Sequence, residues 1–118
     1  MPKTILIVDD DRTLVHVLEK FLREAGYSTL TAHDGGEALE KVSTAHPDLI
    51  LLDIQIPKLH GYSFLFEMRK IEGAGAIPVI ILTASTTMAD MFMAEGVKEY
   101  LIKPCSSRDV LGKISKYI

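Results

Sequence analysis

The stretch "TILIVDDDRTLVHVLEKFLREAG", residues 4–26, carries a strand, a junction and a helix in succession. Residues 4–8 are a short apolar run that reads as a buried strand. From residue 12 the period changes, and Leu14, Leu18, Phe21, Leu22 and Ala25 share one helical face. Asp11 stands where a helix cap is needed, and Gly26 where the helix should end. Between strand and helix lie three adjacent carboxylates, Asp9, Asp10 and Asp11. Adjacent carboxylates repel, and one beside an apolar strand also loses hydration. Such a run needs a compensating use.

The same alternation continues outward from this unit. "YSTLTA" (27–32), "LILLD" (49–53), "VIILT" (79–83) and "EYLIK" (99–103) read as further strands. Helices are expected over 35–45, 62–71, 88–96 and 106–118, the last capped by Ser106 or Ser107. Five βα units imply an α/β fold, a parallel sheet covered by helices on both faces. Strands as apolar as "LILLD" and "VIILT" suit positions buried on both sides. The expected architecture is a flavodoxin-like doubly wound (βα)5 fold with strand order 2-1-3-4-5, spanning residues 1–118 as one domain.

Composition narrows the function classes. Hydrophobic content of 47% and charged content of 25% are those of a globular protein. A net charge of −3, with no basic run, argues against direct nucleic-acid contact. The one cysteine, Cys105, has no internal partner, which fits a reducing compartment. No segment approaches the roughly 20 apolar residues that span a bilayer. The expected location is the cytoplasm, with no membrane partner.

Topology gives the aspartates a place. In a doubly wound sheet, ligands bind beyond the carboxyl ends of the strands, at the switch in strand order. Asp9 and Asp10 follow strand one, Asp53 ends strand three, Thr83 ends strand four and Lys103 ends strand five. With order 2-1-3-4-5 these groups converge. An all-oxygen carboxylate cluster suits Mg²⁺. Asp53 can also serve as a nucleophile, because carboxylates form aspartyl phosphates. The Lys103 ammonium and the Thr83 hydroxyl would then answer the phosphoryl charge.

Four motifs, "IVDDD", "LILLDIQIPKLHG", "VIILTAS" and "YLIKP", occur in this order and span nearly the whole chain. In this the sequence resembles the response-regulator receiver domain, the phosphoacceptor module of two-component signalling. The resemblance implies that Asp53 is phosphorylated by a sensor histidine kinase or phosphotransfer protein in a Mg²⁺-dependent reaction, and that the domain is a switch rather than a free-standing enzyme. It implies that Asp10 and Asp53 bind the metal directly, that Asp9 acts beside them through water, and that Gln55 contributes its backbone carbonyl. It assigns the phosphoryl oxygens to Thr83 and Lys103. It makes Tyr100 the aromatic switch that follows Thr83 inward, and it places a cis peptide before Pro104. The output partner is expected at the face of helix 4, strand 5 and helix 5. Both a free-standing regulator and a receiver within a longer protein accommodate the sequence.

Three rivals are weaker. An aspartyl-phosphate phosphatase usually carries a second carboxylate two residues past the nucleophile, where this chain has Gln55. A flavin-binding module needs a phosphate-cradling loop after strand one, where "DDD" would repel phosphate. A constitutive docking domain would not need all five site residues. The segment between Thr83 and Lys103 is shorter than is usual in the family. Within it, Met88, Met91, Phe92 and Met93 leave two readings open: core packing, or an adaptable docking surface.

Overall fold

The computed structural model describes residues 2–118. Five strands, β1 (Thr4–Val8), β2 (Ser28–Ala32), β3 (Leu49–Leu52), β4 (Val79–Thr83) and β5 (Glu99–Ile102), alternate with five helices. These are α1 (Arg12–Glu24), α2 (Gly35–Ala45), α3 (Gly61–Met68), α4 (Ala89–Ala94) and α5 (Ser107–Ile114). All strand pairs are parallel, in the order β2-β1-β3-β4-β5. The expected fold and strand order are therefore observed.

β1, β3 and β4 sit in the middle of the sheet, and their apolar side chains feed two separate cores. Leu6, Val8, Ile50, Leu52 and Ile81 face one core together with Ala38, Val42, Phe64 and Phe92. Ile5, Ile7, Leu49, Leu51, Ile80 and Leu82 face the other, with Val15, Leu18, Leu22, Val110 and Ile114. The alternation along each strand follows from successive side chains pointing to opposite faces. This is why the central strands are apolar at every position but two, Thr4 at the start of β1 and Thr83 at the end of β4.

Helix boundaries differ from expectation by a few residues. α1 buries Val15, Leu18 and Leu22, whereas Phe21 is half-buried and Ala25 exposed, so its inner face is narrower than the one read from the sequence. Asp11 caps α1 by accepting the Leu14 N–H at 3.1 Å, and Ser106 caps α5 by accepting the Asp109 N–H at 3.1 Å. After α1, Gly26 takes φ +100° while the Gly26 and Tyr27 N–H groups donate to the Arg23 and Leu22 carbonyls. That left-handed turn is inexpensive for glycine. α3 ends at Met68 instead of residue 71, and α5 at Ile114 instead of 118, each running out into turn hydrogen bonds. α4 is six residues long. Its Phe92 is buried and Met88 packs on the core, but Met91 and Met93 are exposed at 39% and 47%. Core packing thus accounts for only half of that cluster.

Candidate functional site

The carboxyl ends of β1, β3, β4 and β5 deliver the expected residues to one edge. Asp53 lies one residue past β3, and its N–H continues the ladder by donating to the Val8 carbonyl at 2.8 Å. Lys103 lies one residue past β5, and its N–H donates to the Thr83 carbonyl at 2.8 Å. Each side chain is thus aimed by sheet register. The peptide before Pro104 is cis.

Carboxylate oxygens of Asp9, Asp10 and Asp53 lie within 4.8 Å of one another. Asp9 and Asp53 are buried, and Asp10 opens to solvent. Lys103 Nζ donates to Asp9 Oδ2 at 2.8 Å and to Asp53 Oδ2 at 2.9 Å. One ammonium therefore pairs with two of the three converging carboxylates. Burial pushes the Asp9 carboxyl above its ordinary range, the Lys103 and Asp11 N–H bonds pull it back in part, and the Asp53 charge raises it again. Burial works against the Lys103 ammonium, yet its bonds to Asp9 and Asp53 outweigh that loss and raise its pKa. The backbone completes the cage: the Asp11 N–H donates to Asp9 Oδ1 and the Gln55 N–H to Asp53 Oδ1, both at 2.9 Å.

Thr83 is fully buried at the end of β4, and its hydroxyl takes a long contact, 3.4 Å, from the Ser85 N–H. Tyr100, on β5, is half-buried beside Phe92 with ring centroids 6.3 Å apart, and its hydroxyl donates to the Ser85 carbonyl at 2.8 Å. Thr83 and Tyr100 thus meet through one residue, Ser85.

Two features escaped the sequence reading. Lys103 pairs with Asp9 as well as with Asp53. His33 is half-buried, with Nδ1 3.2 Å from the Asp9 carbonyl. The signal was available: His33 follows β2, and β2 pairs with β1 up to Val8 and Ala32.

The chemistry of the donors fits a hard cation. They are all oxygen, they converge, and their negative charge exceeds what Lys103 returns. A geometry of this kind at the switch point of a doubly wound sheet delimits the class of protein. The response regulator receiver domain model matches residues 5–115, and the chain belongs to that family, a signalling domain of two-component systems. It is 40% identical over 114 residues to the probable transcriptional regulator ycf27 of Cyanophora paradoxa, covering 95% of this chain and 46% of that protein. It is 38% identical over 116 residues to the alkaline phosphatase synthesis transcriptional regulatory protein PhoP of Bacillus subtilis, covering 97% of this chain and 48% of that protein. The chain thus spans about half the length of these two relatives. Among solved structures, the receiver domain of the sensor histidine kinase PA1611 from Pseudomonas aeruginosa superposes with a TM-score of 0.89 at 30% identity, over 99% of this chain and 98% of that one. That structure has a magnesium ion coordinated in its active-site cleft. Among the described residues, no helix is long and apolar enough to cross a membrane.

Proposed function

We propose that residues 1–118 act as one phosphoacceptor switch, with Asp53 taking a phosphoryl group from the phosphohistidine of a sensor kinase or phosphotransfer protein. The observation that carries this reading is the double ion pair of Lys103 with Asp9 and Asp53, set against three converging carboxylates. A lysine so held has a position from which to answer new negative charge on Asp53. In the transfer, an Asp53 carboxylate oxygen forms the new P–O bond, the P–N bond of the donor breaks, and the imidazole leaves with the electron pair. Asp10 and Asp53 would hold Mg²⁺ directly, with Asp9 beside them and the Gln55 carbonyl contributing, as the oxygen-only donor set and the magnesium-bearing neighbour support. Bound there, the ion would neutralise charge shared by the carboxylates and the phosphoryl group.

The protein's own residues do the rest. Lys103 bonds the phosphoryl oxygens once they compete with Asp9 and Asp53 for its three protons. The Thr83 hydroxyl, held by one long contact, is free to turn toward the phosphate. Its backbone neighbour Ser85 anchors the Tyr100 hydroxyl, so a shift of 83–85 reaches Tyr100 directly. The readout is then a changed surface at α4, β5 and α5, where Met91, Met93 and Ile102 are exposed. We place the protein in the cytoplasm, in keeping with its single free cysteine. The self-contained part of its chemistry is its own phosphorylation and dephosphorylation, with no separate substrate.

Intact mass after incubation with acetyl phosphate and Mg²⁺ tests the reading. One added phosphoryl group is expected, dependent on Mg²⁺ and absent from Asp53→Asn. If the phosphate is short-lived, beryllofluoride with Mg²⁺ should still shift the amide resonances of Thr83, Tyr100 and Lys103. Neither added mass nor shifts would leave a constitutive docking domain as the better account.

A further inference from the structure

The sequence "DGGEAL" opens α2 with two adjacent glycines, Gly35 and Gly36. Glycine weakens a helix relative to alanine because it has more backbone freedom to lose. Neither residue has a positive φ, so backbone conformation does not require them. Gly36 is exposed, and a Cβ there would meet only the Asp34 carboxylate, at 3.3 Å. Gly35 is buried, and its Cβ would lie 2.4 Å from Leu59 Cβ and 2.5 Å from the Leu59 carbonyl oxygen. The space for a side chain is already filled by the loop that follows Asp53.

Other contacts bind that loop to the same helix end. The Gly35 N–H reaches the Pro57 carbonyl at 3.4 Å, and Lys58 pairs with Asp34 at 3.4 Å. Lys58 itself sits at φ +69°, a conformation that a lysine holds only where its surroundings impose it. At the far end, Gly61 closes on Ile54: its N–H donates to the Ile54 carbonyl at 3.2 Å, and a Cβ there would come within 2.6 Å of Ile54 Cα. On the other side of the α2 cap, His33 lies against the Asp9 carbonyl. The N-terminus of α2 therefore bears on both segments that carry the buried carboxylates.

We infer that Gly35 is a positioning residue for the acceptor loop: its missing side chain seats α2 against Leu59, and that seat fixes Asp53 to Gln55 in cation-holding geometry. The inference rests on the proposed role of Asp53 and its neighbours as a cation and phosphoryl site. An alanine at 35 would press on Leu59 backbone, which cannot rotate away as a side chain can, so the displacement must pass along the loop toward Gln55. The experiment is a Mg²⁺ titration of the ¹⁵N-labelled protein, following the Gln55 and Lys103 amides, in wild type, Gly35→Ala, Gly36→Ala and Val42→Ala. Gly35→Ala should bind Mg²⁺ about tenfold more weakly, the scale on which supporting residues alter metal affinity. Its Gln55 amide should already be displaced before metal is added. Gly36→Ala, in the same helical turn, should match wild type. Val42→Ala weakens α2 from its buried face and should keep wild-type affinity. If Gly35→Ala fails to fold, Leu59→Gly opens the same seat from the loop side and should weaken Mg²⁺ to a similar extent. Affinity within about twofold of wild type in Gly35→Ala or Leu59→Gly, or an equal loss in Val42→Ala, overturns the inference. A wild-type protein that does not titrate at all would instead overturn the site reading beneath it.

Discussion

Asp9 is buried beside Asp53 with a pKa raised above 3.8, so its folded form holds a proton more tightly than its unfolded form. Stability then falls as pH rises past 3.8, and at neutral pH the ionised Asp9 is a net cost to the metal-free fold. Asp9→Asn should stabilise the protein in chelator, read as a higher midpoint of urea unfolding, while weakening Mg²⁺ binding. Lys103→Ala should have the opposite sign and cost about 2 kcal/mol, because two buried carboxylates lose their shared ammonium. In an Asp9→Asn background that cost should shrink, since the residues are in direct contact and their effects cannot add. Asp9, Asp10, Asp53 and Lys103 were all legible in the sequence, because strand-end position alone brings them together. The double pairing of Lys103 was not, because it depends on how far one flexible side chain reaches across two strand ends.

Among the elements, α1 and α2 both begin with an aspartate cap, alone in α1 and beside a second carboxylate in α2. Asp11 accepts one backbone N–H and lies outside the converging carboxylates. Asp11→Ala should therefore cost about 1 kcal/mol of stability and leave Mg²⁺ affinity unchanged, whereas Asp10→Ala should do the reverse. At α2, Asp34 accepts the Glu37 N–H at 2.8 Å while Glu37 accepts the His33 N–H at 2.7 Å. Asp34 and Glu37 have the spacing of a capping box, but Glu37 accepts the N–H of His33 rather than that of the cap residue itself, which spacing alone does not reveal. The His33 N–H, offset by some desolvation and helped by Lys41, holds Glu37 below its ordinary 4.5. A carboxyl so depressed adds stability above pH 4.5 and loses it as pH falls through the folded value. Glu95, bonded to Arg69 and Tyr62, and Glu99, bonded to Tyr117, act in the same sense. In metal-free unfolding on the acid side of pH 4.5 these three carboxyls should lose stability against the opposing gain from Asp9, and Glu37→Gln should make the loss shallower. The lengths of α3, α4 and α5 were less legible, because helix ends depend on turn hydrogen bonds that hydrophobic periodicity does not encode.

At the scale of the molecule, the sheet is stable where it is least charged and is open to ligand where it is most charged. The central strands carry the packing, and each ends in a group that serves the site, so the fold and the site share one sequence signal. That coupling is why so much of the architecture could be read from four short motifs. It also makes the whole fold respond to what binds at one edge. A ligand that binds only the folded protein stabilises it by about 2.7 kcal/mol at a hundred times its dissociation constant. For a chain of 118 residues this corresponds to a rise in unfolding temperature of roughly 10 °C. Mg²⁺ with beryllofluoride should produce a rise on that scale, Mg²⁺ alone a smaller one, and Asp53→Asn should lose the increment due to beryllofluoride. Thr83→Ala should keep the Mg²⁺ increment and reduce the second, because in the proposed role its hydroxyl would bond the phosphoryl group and not the cation. Equal increments in wild type and Thr83→Ala would remove Thr83 from the phosphoryl site and with it the proposed path through Ser85 to Tyr100.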